Sequence, residues 1–296
     1  MSVFFITGVD TRIGKTYATG YLAKQLLENG INVITQKLIE TGCDGKIAED
    51  IITHRQLMQI PLQPVDHDQV SCPFVFKASA PPYIASSLEA IPLYPTRITV
   101  ATQQLKLKYE MVLLETSGGI MTPITESLLT IDYIAAQRHP VVLVTSATLE
   151  SINHTLLALQ AIAQRGLTLH AVIYNQYQDR SAEADIEELA ADEVLHDEQL
   201  YEQTFTEHRV KTNLLQNTRL YLQEYLEQHH PKTFWVELPH ISFSGKSVSY
   251  QKVKEEDKDS NSNKNSIPSY SIEKYAQEIA DNTLYAESLY RKIAKK

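Results

Sequence analysis

The stretch Val3-Phe4-Phe5-Ile6-Thr7-Gly8-Val9-Asp10-Thr11-Arg12-Ile13-Gly14-Lys15-Thr16 joins an apolar run to a polar loop flanked by glycines, then to Lys-Thr at the head of an amphipathic segment. An apolar run without alternation is the pattern of a strand covered on both faces, as in a parallel sheet. Gly8 and Gly14 permit backbone angles that turn successive N–H groups inward around an anion. A helix starting at Lys15 adds the positive end of its dipole. Strand, loop and helix in this order predict a nucleotide phosphate site, with Lys15 on the β- and γ-phosphates and the Thr16 hydroxyl on Mg²⁺. The general pattern has four residues between the first Gly and Gly-Lys. Here there are five between Gly8 and Gly14.

Working outward, short apolar runs recur at Val3–Thr7, Asn32–Lys37, Met111–Glu115, Val141–Thr145 and His170–Asn175, with a further strand expected at Thr233–Leu238. Helical periods at Lys15–Asn29 and Ser151–Arg165 fall between them, ending in the C-cap signals Glu28-Asn29-Gly30 and Arg165-Gly166. Alternating strands and helices predict an α/β fold with a doubly wound, mostly parallel sheet flanked by helices. The domain is expected to span 1–242, with 176–231 as an extended helical insertion. Lys252–Ser269 is highly charged and almost without apolar residues, so 243–270 reads as a flexible polar linker. Apolar residues at helical spacing from Ile272 to Ile293 then predict a C-terminal helix over 271–296. On this reading, a chain ended near residue 245 keeps its nucleotide site.

The 296 residues suffice for one large domain, and 43% hydrophobic with 21% charged residues is ordinary for a globular chain. A formal charge of −9 argues against nucleic acid as a partner. No apolar run approaches the roughly 18 residues of a membrane span. With only Cys43 and Cys72, no disulfide framework is expected, which suits a cytoplasmic location. The histidines show no metal-ligand spacing and read as structural or surface groups.

A second chemical cluster is expected where Met111–Glu115 ends on a carboxylate before Thr116-Ser117-Gly118-Gly119. A carboxylate at that strand end lies where Mg²⁺ is held beside a phosphate loop. Lys37 closes a neighbouring strand and could bracket the γ-phosphate with Lys15.

These residues resemble the dethiobiotin synthetases. Gly8-Val9-Asp10-Thr11-Arg12-Ile13-Gly14-Lys15-Thr16 matches that family's loop, G-x-D-T-x-x-G-K-T, so the extra loop residue is itself a family trait. Lys37-Leu38 with Thr41-Gly42, Asp50, Leu114-Glu115-Thr116-Ser117-Gly118-Gly119, Ile152-Asn153-His154 and Tyr174-Asn175 follow in the family's order. The resemblance implies an ATP- and Mg²⁺-dependent ligase that closes 7,8-diaminopelargonic acid and CO₂ into dethiobiotin through a carbamate, working as a homodimer. It implies catalytic roles for Lys37, Lys15 and Thr11, and Mg²⁺ ligation by Thr16, Asp50 and Glu115. The nucleotide would meet Gly8, Asp10, Arg12, Ile13, Gly14, Lys15, Thr16, Tyr17, Asn175 and Pro239. Thr41, Ser117, Gly118, Ser151 and Asn153 would meet the diamine acid. Two positions depart from the family: Arg12 stands where an acid is usual, and Glu150 where a small neutral residue is usual. They favour, as alternatives, a paralogous ligase for another carboxylate substrate; a partner-regulated ATPase is a further alternative.

Overall fold

A computed structural model describes residues 2–148, 150–176, 216–238, 240–244, 247–251 and 269–293. Its strands are β1 (Ser2–Gly8), β2 (Val33–Lys37), β3 (Glu40–Thr41), β4 (Val75–Phe76), β5 (Met111–Glu115), β6 (Val141–Ser146), β7 (Leu169–Asn175), β8 (Phe234–Leu238), β9 (His240–Ser244), β10 (Ser247–Gln251) and β11 (Ser269–Ser271). Seven of them form one sheet in the order β11-β8-β7-β6-β1-β5-β2, and every neighbouring pair is parallel. The six strands read from the sequence all lie in it. The helices are α1 (Lys15–Glu28), α2 (Glu49–Met58), α3 (Pro64–His67), α4 (Pro82–Leu88), α5 (Pro95–Lys106), α6 (Thr130–Gln137), α7 (Ser151–Gln164), one over 216–229 and a C-terminal helix Ile272–Ile293.

Successive strand residues face opposite sides, and two cores follow from that alternation. Val3, Phe5, Val112, Leu114, Val172 and Trp235 pack under α5, α6, α7 and the 216–229 helix. Phe4, Ile6, Leu113, Val142, Ile173 and Val236 pack under α1, the end of α2 and the C-terminal helix. Helix α1 stops where the sequence signals it. Gly30 takes φ 81, and its N–H and that of Ile31 return to the carbonyls of Leu27 and Leu26.

Residues 269–280, read from the sequence as the end of a linker and the start of a separate helix, are built into this domain. β11 extends the sheet beside β8, and Ile272, Tyr275, Ala276, Ile279 and Ala280 are buried in the same core as α1. Tyr21 of α1 donates to Glu273 Oε1 at 2.5 Å. The C-terminal helix therefore packs on the helix that follows the phosphate loop, and is not separate from the domain as the sequence suggested. The linker read over 243–270 opens on an antiparallel hairpin, β9–β10. Its residues 252–268, and residues 177–215 of the expected insertion, lie outside the described residues.

A buried ion pair fixes α2 against the sheet. Arg55 donates through Nε and Nη2 to Asp66 at 2.9 and 2.8 Å, and through Nη1 to Thr35 Oγ1 of β2 at 2.7 Å. Burial pushes the Asp66 carboxyl up, but the Arg55 bonds and charge, with the Gln63 N–H, outweigh it and hold the group below its ordinary range. Asp66→Asn is expected to cost about 3–5 kcal/mol in urea unfolding near neutral pH, since it leaves Arg55 buried without its counter-charge. A depressed carboxyl contributes stability above its unfolded pKa and loses it as pH falls through the folded value. The gap between parent and variant should therefore narrow toward acid. For the tail, Ile272→Ala should cost about 2–5 kcal/mol in the same assay, and a chain ended at residue 245 should melt lower and bind nucleotide more weakly than the parent.

Candidate active site

Parallel strands bring their C-terminal ends to one edge, and that edge collects the polar residues. Lys37 on β2 and Ile6 on β1 both stand in register with Glu115 on β5. The loop between β1 and α1 lies over this edge. Arg12 takes φ 54 and Gly14 φ 88, the two left-handed turns that curl the loop. A Cβ on Gly14 would lie 2.2 Å from Asn175 Nδ2, which donates to the Ile13 carbonyl at 2.9 Å. Lys15 Nζ donates to the Asp10 carbonyl at 2.6 Å, across the mouth of the loop.

Glu115 is the centre of the cluster and is 0% exposed. Its Oε1 accepts from Lys37 Nζ at 2.7 Å and lies 3.2 Å from Thr16 Oγ1. Its Oε2 lies 2.8 Å from His54 Nε2. Asp50, in the first turn of α2 where the helix dipole favours an anion, accepts from Thr16 Oγ1 at 3.0 Å and from Lys37 Nζ. Burial raises the Glu115 carboxyl, yet Lys37 and His54 prevail and hold it well below the usual carboxylate range. Burial lowers Lys37, and the charges of Glu115, Asp50 and Glu40 overcome it and raise its ammonium above the ordinary lysine value. Lys15 goes the other way, lowered to about 8 by burial and by Lys37.

Thr16, Asp50, Glu115 and Lys37 are thus brought together as the sequence suggests, with Lys15 above them. Ile13 is buried under the loop against Gly8, while Asp10, Thr11, Arg12 and Tyr17 face solvent or stand at its edge. Thr41 is half-buried on β3, and Ser117 Oγ donates to the Ile39 carbonyl. Gly118 takes φ 67, and Gly119 brings its backbone against the Val9 carbonyl. Ser151 spends its hydroxyl inside the turn before α7, accepting from the Thr148 N–H at 3.0 Å. Asn153 is exposed, and His154 Nδ1 lies 3.7 Å from Asp10 Oδ2, so the start of α7 reaches the phosphate loop. Asn175 is engaged with the loop backbone, and Pro239 lies outside the described residues.

Two residues here were not expected from the sequence. His54, read as structural or surface, touches Glu115; its place one turn after Asp50 on the same face of α2 is the signal that could have found it. Glu40 is buried with Oε2 unpartnered among the described residues, and burial pushes its carboxyl up to about 8. Nothing in its spacing marks it beforehand.

The oxygen donors fit a Mg²⁺ ion of the kind that nucleotides bring. A hydroxyl and two carboxylates converge, and magnesium is held by one or two carboxylates together with phosphates rather than by an all-protein cage.

A parallel sheet with a glycine-flanked loop leading into α1, and Lys15 and Thr16 at its head, defines a P-loop nucleotide-binding protein; residues 2–197 match the family model described as an AAA domain. The chain is 41% identical over 240 residues to the ATP-dependent dethiobiotin synthetase BioD 2 of Pasteurella multocida, covering 81% of this chain and 98% of that protein. It is 41% identical over 231 residues to the Haemophilus ducreyi enzyme of the same name, covering 78% and 95%. Against the ATP-dependent dethiobiotin synthetase of Chlorobaculum tepidum it is 45% identical over 175 residues, covering 59% and 73%. The chain belongs to the ATP-dependent dethiobiotin synthetase family.

Gly14→Ala tests the loop without touching a charge. The left-handed angle and the Asn175 contact together should weaken binding of a fluorescent ATP analogue about tenfold or more, since αL strain alone is about 1–2 kcal/mol. The folded chain carries the same strain before nucleotide binds, so the melting temperature should also fall by a few degrees.

Proposed function

We propose that this protein closes the cyclic urea of dethiobiotin from 7,8-diaminopelargonic acid, CO₂ and ATP, with release of ADP and phosphate. One observation carries the reading: two buried lysines, Lys15 and Lys37, flank the same strand-end edge as the oxygen donors Thr16, Asp50 and Glu115. A reaction that joins a carbamate to a γ-phosphate gathers negative charge at one point. Pre-placed cations in a water-poor site stabilise that charge most effectively.

In this reading one substrate amine takes up CO₂ to give a carbamate. A carbamate oxygen attacks the γ-phosphorus of ATP, the bond to the β-bridging oxygen breaks, and ADP leaves. The second amine then attacks the carbamoyl carbon, expels phosphate and closes the ring. Lys15 and the loop N–H groups hold the β- and γ-phosphates in line, and Lys37 neutralises the carbamate as it approaches. Thr16, Asp50 and Glu115 would hold the Mg²⁺, which when bound neutralises charge on the phosphate oxygens. Thr11 and Thr41 offer hydroxyls to the carbamate and phosphate. Ser117, Gly118, Ser151 and Asn153 would meet the diamine acid. The N–H groups opening α7 suit the substrate carboxylate. A homodimer and a cytoplasmic location belong to the same reading and rest on the resemblance; among the described residues no helix is long and apolar enough to cross a membrane.

ADP release is expected only when both the diamine and bicarbonate are present. Lys15→Ala and Lys37→Ala should each lower kcat by about a hundredfold to a thousandfold. ATP hydrolysis indifferent to the diamine would sink the reading in favour of a partner-regulated ATPase.

A further inference from the structure

The two oxygens of Glu115 have different partners, and the division has a consequence for metal binding. Among the described residues, Oε1 faces Lys37 and Thr16, while Oε2 faces the His54 ring. His54 is 0% exposed and belongs to α2, the helix that also carries Asp50. An ionised carboxylate can only accept, so Nε2 carries the hydrogen and donates. Among the described residues the opposite nitrogen, Nδ1, has no partner, and the ring's hydrogen bond goes to Glu115.

A Glu carboxylate turns readily about its last torsion, where no staggered well restrains it. Of the three contacts to Glu115, those of Lys37 and Thr16 end on the oxygen that faces the expected cation seat. A divalent cation entering there competes with both. The His54 bond ends on the far oxygen and is not contested. It is also anchored independently, because Arg55, the next residue on α2, is locked to Asp66 and Thr35.

We propose that His54 is a positioning residue: it holds Glu115 by Oε2 so that Oε1 alone meets the divalent cation. The inference rests on the nucleotide–magnesium reading of the site, not on the identity of the organic substrate. Partners that orient a metal ligand from behind typically change metal affinity by 10–100-fold when removed.

The test uses the full-length protein with His54→Leu and His54→Gln. Leucine fills the volume without a donor, and glutamine places an N–H near the position of Nε2. Binding of Mn²⁺ at saturating ADP is read from the free-Mn²⁺ electron paramagnetic resonance signal, and ADP affinity is measured separately in EDTA. His54→Leu is expected to weaken Mn²⁺ binding by about 10–100-fold, with ADP affinity in EDTA close to the parent's, and His54→Gln to recover most of the loss. Parent-like Mn²⁺ binding in the leucine variant would overturn the proposal. So would a glutamine variant as weak as leucine, or a loss matched by equal loss of ADP affinity in EDTA, either of which marks a merely structural role. No diamine is present in the assay, so failure of the ring-closing reading leaves its outcome unaffected.

Discussion

Glu115 is an ionised carboxylate withdrawn from water at the end of β5, and most of the site is arranged to make that position tenable. A buried charge is costly unless it is paired and fully hydrogen-bonded. Lys37 comes from β2, Thr16 from α1 and His54 from α2, so satisfying one side chain ties together three further elements at the strand-end edge. The same contacts hold Asp50 beside Lys37, and the Arg55–Asp66 pair behind them keeps α2 in place. The strand-end cluster beside the loop is therefore held by the buried polar interior as much as by the loop itself.

Both flanks of the loop depend on support from distant parts of the chain. Asn175, at the end of β7, binds the Ile13 carbonyl, and the close approach at Gly14 leaves no room for a side chain. Beneath α1, residues more than two hundred positions away complete the core through Ile272, Tyr275 and Ile279. The C-terminal helix thus packs against the helix whose first turn carries Lys15 and Thr16.

The parallel sheet was legible because strands buried on both faces leave long apolar runs, and Gly8–Thr16 was legible because phosphate binding demands a fixed order of small, cationic and hydroxyl residues. Lys37 and Glu115 were legible from their places at strand ends, and Asp50 only through the family resemblance. His54 was not, because its contact with Glu115 joins α2 to β5, and its one sequence mark, a place one turn after Asp50, says little by itself; a lone histidine on a helix usually packs without chemistry. Glu40 escaped notice for the same reason. β11 is three residues long and follows a charged segment, so its pairing with β8 depends on tertiary context rather than on any pattern of its own. The departures at Arg12 and Glu150 remain the chain's own: Arg12 sits exposed at a left-handed turn of the loop, and Glu150 stands exposed just before α7.

The central claim is that two buried lysines and the Glu115 cluster serve to join a carbamate to a γ-phosphate and then close a ring. The most direct measurement follows the carbon itself, supplying isotopically labelled bicarbonate with the diamine acid and ATP and counting label in acid-stable product against ADP formed. A free carbamate loses its carbon in acid, whereas a cyclic urea keeps it. The account requires one labelled carbon retained per ADP released; ADP released without acid-stable label would contradict it.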